Sequence, residues 1–260
     1  CTVNPVVHYG LESGLLREGD NADFIIVDNP EKMNVIETWI KGVKVFSEGK
    51  VNFSYSGGKG INNFNSSEVS PGQIRVKRLG EKMRVIESTE GELITGQFIW
   101  NCPESEFVES DTNHDILKIV VKDRYNNLPP AVGFIKGFGL KEGAFASSVA
   151  HDCHNIICVG ADDMAIINCI NEIVRLKGGL AVSSDGKINS FQLNIGGIMS
   201  DQSCSTVAHA YAELSQKVME MGCGLSAPFM TLSFMALLVI PELKISDRGL
   251  FSGNSFSLVS

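Results

Sequence analysis

The sequence predicts an α+β fold: a short strand-rich unit, then a mixed β-sheet domain with flanking helices. Three observations predict it. Apolar runs of strand length recur along the chain, two stretches carry apolar residues at helical spacing, and a Ser/Gly/Asn-rich segment separates the two parts. At 260 residues the chain is long enough for one large domain or two modest ones with a core of real size.

Residues 1–53 read as the first unit. Asn4-Pro5 begins a short helix through Val6, Val7, Tyr9 and Leu11, because the missing proline N–H costs nothing in a first helical turn. Gly14 and Gly19 frame a turn, and Ala22 to Asp28, an apolar run bounded by acids, has the pattern of a buried strand. Val35 to Phe46 reads as a hairpin around Lys41-Gly42, where glycine supplies the positive φ of a two-residue loop. Residues 54–72 are the expected linker.

From 73 to 260 the pattern alternates. Strands are expected at Arg84–Glu87, Leu93–Trp100, Ile116–Lys122, Ala131–Phe138, Asn155–Val159, Leu180–Ser183 and Ser190–Ile195. Asp162 and Asp163 open one helix, whose stripe is Ile166, Ile167, Ile170, Ile173 and Val174 and whose end is Gly178. Asp201 opens another, with Val207, Tyr211, Leu214, Val218 and Met221 inward and His209, Glu213, Gln216 and Glu220 outward.

Composition narrows the partners. A formal net charge of −8 argues against nucleic acid and against an acidic membrane surface, since no basic excess exists to displace counterions. Seven cysteines at irregular spacing, with no C-x-x-C pair, suggest reduced thiols and a cytoplasmic setting. The longest apolar stretch, Phe229 to Ile240, is too short to span a bilayer. The chain opens on Cys1 and a helix-like segment, with no signal-peptide pattern, as though entered within a longer protein.

The first unit resembles the closing stretch of amidohydrolase-superfamily enzymes: Thr2-x-Asn4-Pro5, Tyr9-Gly10-Leu11, then Gly14, Gly19 and Ala22 to Asp28. The resemblance implies a small β-sandwich remnant at the end of a metal-bearing barrel. The second unit is more specific. Val132 to Gly160, Leu193 to Asp201 and Pro228 to Phe251 resemble, in order, the C-terminal domain of bacterial-type adenine deaminases. That family implies hydrolysis of adenine to hypoxanthine and ammonia by a metal-bound hydroxide, with manganese or iron, or zinc as the alternative, held by barrel residues that include a His-x-His pair. The five histidines here (His8, His114, His151, His154, His209) include no such pair. A barrel of about 250 residues would also fill nearly the whole chain. No metal ligand and no catalytic residue is therefore carried over, and the chain alone is expected not to deaminate adenine.

One polar cluster could touch the chemistry: His151, Asp152, His154 and Asn155, between a Ser-rich segment and an apolar strand. The two imidazoles share a face only in a turn or helix, and a metal would need Asp115 or Asp162 as a recruited third ligand. Three readings stay open. The cluster is a structural network at a turn, or the edge of a purine site, or a metal site. The remaining candidates are bland. Lys136-Gly137-Phe138-Gly139 reads as a Gly-flanked loop without phosphate-binding spacing. Cys153 and Cys158 read as inert buried thiols, and Phe229, Met230, Phe234 and Met235 as core. Arg124-Tyr125 ends a strand; the resemblance implies His after the Arg, so the departure to Tyr125 weakens an imidazole role there.

Function divides into three classes. The first is a fragment of an adenine aminohydrolase, with adenine its substrate in the full-length enzyme. The second is a non-catalytic oligomerisation or regulatory module for a separate barrel. The third is an independent purine- or metal-binding domain; only that one expects heat in calorimetry with adenine or Mn²⁺. Strand edges left unpaired around Ala22–Asp28 and Val35–Phe46 should make the chain associate, as a homo-oligomer or with a second fragment. Light scattering is expected to show association, and a clean monomer with a stable N-terminal unit would count against it.

Overall fold

Leu117–Lys122 is the strand that everything else in the larger unit is built on, because all six of its residues are buried. Burial on both faces needs cover on both sides, and the fold supplies it. The computed structural model describes residues 2–54 and 60–259. They fall into two units, Cys1–Gly58 and Lys59–Ser260.

In the smaller unit, α1 (Val3–Tyr9) precedes a four-stranded antiparallel sheet in the order β1 (Phe24–Val27), β2 (Val35–Ile40), β3 (Val43–Ser47), β4 (Lys50–Val51). The hairpin forms as expected: Lys41 and Gly42 take φ of 49° and 75°, the double positive φ of a type I′ turn. Asp23 accepts from the Lys41 amide at 2.6 Å, and Phe24 stacks on Trp39. Two expectations change. Within Val35–Phe46 only β2 is paired on both sides; β1 is a sheet edge, and β4 meets β3 only at Phe46 and Ser47. Ala22–Asp28 is not a buried strand: Ile25 and Ile26 are exposed, and no described residue of this unit is buried. One sheet with no second layer in its own unit leaves both its faces open.

The larger unit holds an eight-stranded sheet. Its strands are β6 (Lys82–Glu87), β7 (Gly96–Asn101), β9 (Leu117–Lys122), β10 (Ala131–Lys136), β11 (Ala144–Ser147), β12 (Ile156–Gly160), β13 (Gly179–Ser184) and β14 (Lys187–Gln192). Their spatial order is β14-β13-β11-β12-β9-β10-β6-β7, antiparallel throughout except for the parallel pair β10/β6. The short pair β5 (Val76–Lys77) and β8 (Phe107–Val108) stands apart from it. On one face α2 (Asp163–Leu176) covers β11 to β13, burying Ile166, Ile170 and Ile173 against Val120, Ala146 and Cys158. On the other, α3 (Cys204–Glu220) lies over β13 and β14, and α4 (Pro228–Phe234) over β11 and β12. A meander of β15 (Leu243–Ser246), β16 (Gly249–Ser252) and β17 (Ser257–Leu258) completes that layer, with β15 and β16 against β6 and β10. No helix among the described residues is long and apolar enough to cross a membrane.

Helix ends follow local chemistry. Asp162 caps α2, accepting from the Ala165 amide at 2.8 Å. At its other end Lys177 adopts the left-handed conformation and Gly178 donates back to Ile173, so the stop comes one residue before the expected glycine. Ser203, not Asp201, caps α3; its hydroxyl lies 3.2 Å from the Thr206 amide, whereas Asp201 stands two residues too early to reach it. Residues 60–72, within the stretch expected as linker, run along this unit: Ser66 donates to Asp123, and Asn171 exchanges two bonds with buried Val69. Residues 55–59 of that stretch lie outside the described residues.

Three lysines are buried among the described residues. Lys118 pairs with Asp163 at the start of α2, and Lys122 donates to Asn127 and to the Leu128 carbonyl. Lys244 has only the Leu93 carbonyl, 2.7 Å away, and burial brings its pKa down to about 8. The unfolded chain, with an ordinary lysine near 10.4, binds more protons between these values, so stability should rise with pH through that window. Below it the whole cost is present, about 3 kcal/mol. Lys244→Met is expected to stabilise the fold at pH 7 by about 1–2 kcal/mol, net of about 1 kcal/mol for the unpaired Leu93 carbonyl. It should also flatten the alkaline rise. Urea unfolding at pH 7 and pH 9.5 measures both, and a variant weaker at pH 7 would mean the Leu93 bond outweighs desolvation.

Candidate functional site

The turn from Ala150 to Asn155 carries the chain from β11 into β12, so its side chains stand at one end of the central sheet. Asn155 is buried and its Oδ1 accepts from the Arg124 amide at 3.3 Å, which ties the turn to the end of β9. His154 takes φ of 50° and returns its amide to the Ala150 carbonyl at 2.6 Å. Its Nδ1 accepts from the Ala150 amide at 3.3 Å, which places the neutral ring's proton on Nε2. His151 donates its amide to the Ser233 carbonyl and stacks its ring on Phe234, with centroids 5.0 Å apart. The two imidazoles meet edge to face at 5.4 Å, the shared face that a turn permits. Asp152 is exposed and makes no hydrogen bond to a described residue; Cys153, expected as buried, is exposed as well, because it sits at the tip of the turn and not in the strand.

Arg124 organises the surroundings. Its guanidinium is buried, donating to the Gly196 carbonyl at 2.7 Å and to the Tyr125 hydroxyl at 2.8 Å, and Tyr125 passes a hydrogen bond to the Cys153 carbonyl. The rings of Phe64 and Tyr125 flank it. A Cβ on Gly197 would fall 2.1 Å from the guanidinium, so only glycine fits there. The sequence marked Arg124-Tyr125 only as a strand end, and the buried guanidinium with its partners was not anticipated. The available signal was a lone Arg at the end of an all-buried strand.

The resemblance brings a divalent metal into question, and these residues do not fit one. His154 has one nitrogen engaged by a backbone amide. The carboxylates that could have joined are committed elsewhere: Asp162 caps α2, and Asp115 accepts from the amides of Gly137 and Gly139, both at 2.7 Å. The same bonds explain the Lys136–Gly139 loop, whose amides face a carboxylate already in place. Among the described residues, no three His, Cys, Asp or Glu side chains are gathered to hold a metal.

Beside the turn lies a cavity of about 290 Å³. Phe191, Tyr211 and Phe229 form aromatic walls and Leu180, Leu193 and Val207 aliphatic ones, with His151 and Ser233 at its edge. Met230, expected in the core, is exposed at this edge because it lies on the outer side of α4. These residues come from separate elements, which is why no motif announced them.

Burial, then the neighbouring His151 and Arg124 charges, hold the His154 pKa below its ordinary value, against a smaller opposing effect of Asp152. The unfolded chain therefore binds the extra proton first as pH falls below about 6.5, and stability should fall from there through the depressed folded pKa. His154→Asn, which keeps a side chain suited to positive φ, should lessen that acid loss. Unfolding midpoints at pH 5.5 and 7.5 test this, and equal acid sensitivity in both proteins would count against it.

Comparison with known proteins places the sequence in a family. Residues 92–257 match the family described as "Adenine deaminase C-terminal domain". The chain is 45% identical to an adenine deaminase of Salinibacter ruber over 99% of its own length and 48% of that protein. It is 46% identical to one of Methanosarcina barkeri over 100% of its length and 49% of that protein, and 40% identical to one of Borreliella burgdorferi over 99% and 47%. It thus spans about half the length of the curated relatives that it matches. The chain belongs to the adenine deaminase family.

Proposed function

We propose that this chain works as the C-terminal part of an adenine aminohydrolase, in which water replaces the exocyclic amine of adenine to give hypoxanthine and ammonia. The observation that carries the reading is the match along nearly the whole chain to proteins named adenine deaminase, at 40–46% identity in the three relatives compared. The divalent metal, manganese or iron with zinc as the alternative, is assigned in this reading to residues outside those described. The present chain's part is to wall the purine site with the His151–Asn155 turn. Asn155 and Arg124 fix that turn, and His151 presents a ring whose nitrogens have no partner among the described residues.

Two further assignments go with it. The open sheet of the smaller unit, with Ile25, Ile26, Val35 and Ile36 exposed, is covered by further polypeptide, either of the same protein or of a second copy. Action on a free base in salvage fits a cytoplasmic protein. The test mixes the purified chain with the part of the Salinibacter ruber relative that it does not match, adds Mn²⁺ and adenine, and measures ammonia. Release is expected from the mixture and not from the chain alone. Release by the chain alone would overturn the assignment of the chemistry elsewhere, and a folded, associated mixture that releases none would overturn the proposed function.

A further inference from the structure

The cavity beside the turn is better defined than anything the sequence reading anticipated. No charged side chain lines it. Of the three hydroxyls on its walls, the two serines are already spent on backbone, Ser147 on the Val149 carbonyl and Ser233 on the Met230 carbonyl. The third, on Tyr211, is kept neutral by burial and is engaged with the Met230 backbone, beside Ser215. What remains for a ligand is flat aromatic surface and one imidazole, His151. The His151 ring is held in place by Phe234, and neither of its nitrogens bonds a described residue. An imidazole offers one donor and one acceptor, so its complement is a ring carrying the same pair.

We infer that this cavity binds an uncharged bicyclic heteroaromatic base, a purine, stacked among Phe191, Tyr211 and Phe229 and hydrogen-bonded to His151. The inference deepens the proposed function and rests on it for the choice of purine; the geometry by itself asks only for a neutral, planar heterocycle. The volume of about 290 Å³ is at the small end for ligand pockets and suits one base. It offers no cation for a phosphorylated nucleotide. Where the sequence led to no expected binding of adenine by the chain alone, the cavity predicts weak binding.

The experiment uses the full chain and the histidine ring protons in one-dimensional NMR, which five histidines make countable. The His151 signal is assigned by its loss in His151→Phe. Millimolar adenine or hypoxanthine should shift it while His8, His114 and His209 stay still, and AMP should leave it unmoved. His151→Phe should weaken adenine binding about tenfold, as read by saturation transfer to the base. Val207→Trp and Ile198→Trp each fill the cavity from a different wall and should abolish the shift, with thermal melting confirming which variants fold. No His151 shift in the unaltered chain, or a shift that survives in a folded cavity-filling variant, would overturn the inference. Base binding lost while the mixed enzyme still releases ammonia sinks the cavity alone. Binding kept without ammonia release upholds the cavity and sinks the proposed function.

Discussion

A guanidinium buried at the end of the central strand has to be given acceptors, and meeting that demand for Arg124 arranges the whole end of the sheet. Removing a charged group from water is tolerated only when hydrogen bonds replace the lost solvation. The Gly196 carbonyl and the Tyr125 hydroxyl do this for the two terminal nitrogens, and each draws in its own neighbours. Gly196 belongs to a loop whose amide also reaches Ile61, and Tyr125 bonds the His151–Asn155 turn through Cys153. The Arg124 carbonyl then accepts from Asn65. Three segments distant in sequence are thus held around one side chain. Gly197 lacks a side chain for the same reason, because that volume is occupied by the guanidinium.

The central strand repeats this logic on its α2 face. Lys118 and Lys122 alternate with Val120, so a run that reads LKIVVK places two ammonium groups under a helix. Asp163 at the first turn of α2 meets the first, and the Asn127–Leu128 corner meets the second. A carboxylate there also suits the positive end of the helix dipole, so one side chain answers both a buried cation and exposed helix amides. The opposite face carries Leu117, Ile119 and Val121, with no polar atom to satisfy. It packs against α3, α4 and the β15–β17 meander by shape alone, and imperfect closure between such elements is where a cavity can persist.

What was legible in the sequence follows from the range over which each signal acts. The Lys41-Gly42 hairpin and the Asp162 cap depend on a few adjacent residues, and both stand as expected. The stripes of α2 and α3 are also local, and their inward residues, Ile166, Ile170, Leu214 and Val218 among them, are buried. The α3 start was misjudged because Asp201 and Ser203 are both good caps, and only geometry decides which hydroxyl or carboxylate reaches an amide three residues on. Cys153 was misjudged because the strand begins at Ile156, after a turn that the apolar run conceals. The cluster at 151–155 was visible because polar residues interrupting apolar ones are conspicuous. The surroundings of Arg124 and the cavity were not, since the residues involved lie at 61, 65, 155, 191 and 211, brought together only by sheet order.

The two units pose opposite problems, and the contrast bears on function. In the larger one the central strands β9 and β11 to β13 are buried, and the apolar cavity beside the candidate turn is lined by Phe191, Tyr211 and Phe229. In the smaller one the strands pair correctly, the turn chemistry is right and the aromatic stack is in place, yet no described residue is buried. Hydrogen bonding and propensity alone seldom hold a four-stranded sheet, because ordering each residue costs about 1–2 kcal/mol that apolar burial must offset. The pairing and turn chemistry of residues 2–54 therefore stand on local interactions, and Ile25, Ile26, Val35 and Ile36 mark the apolar surface that this unit does not bury by itself.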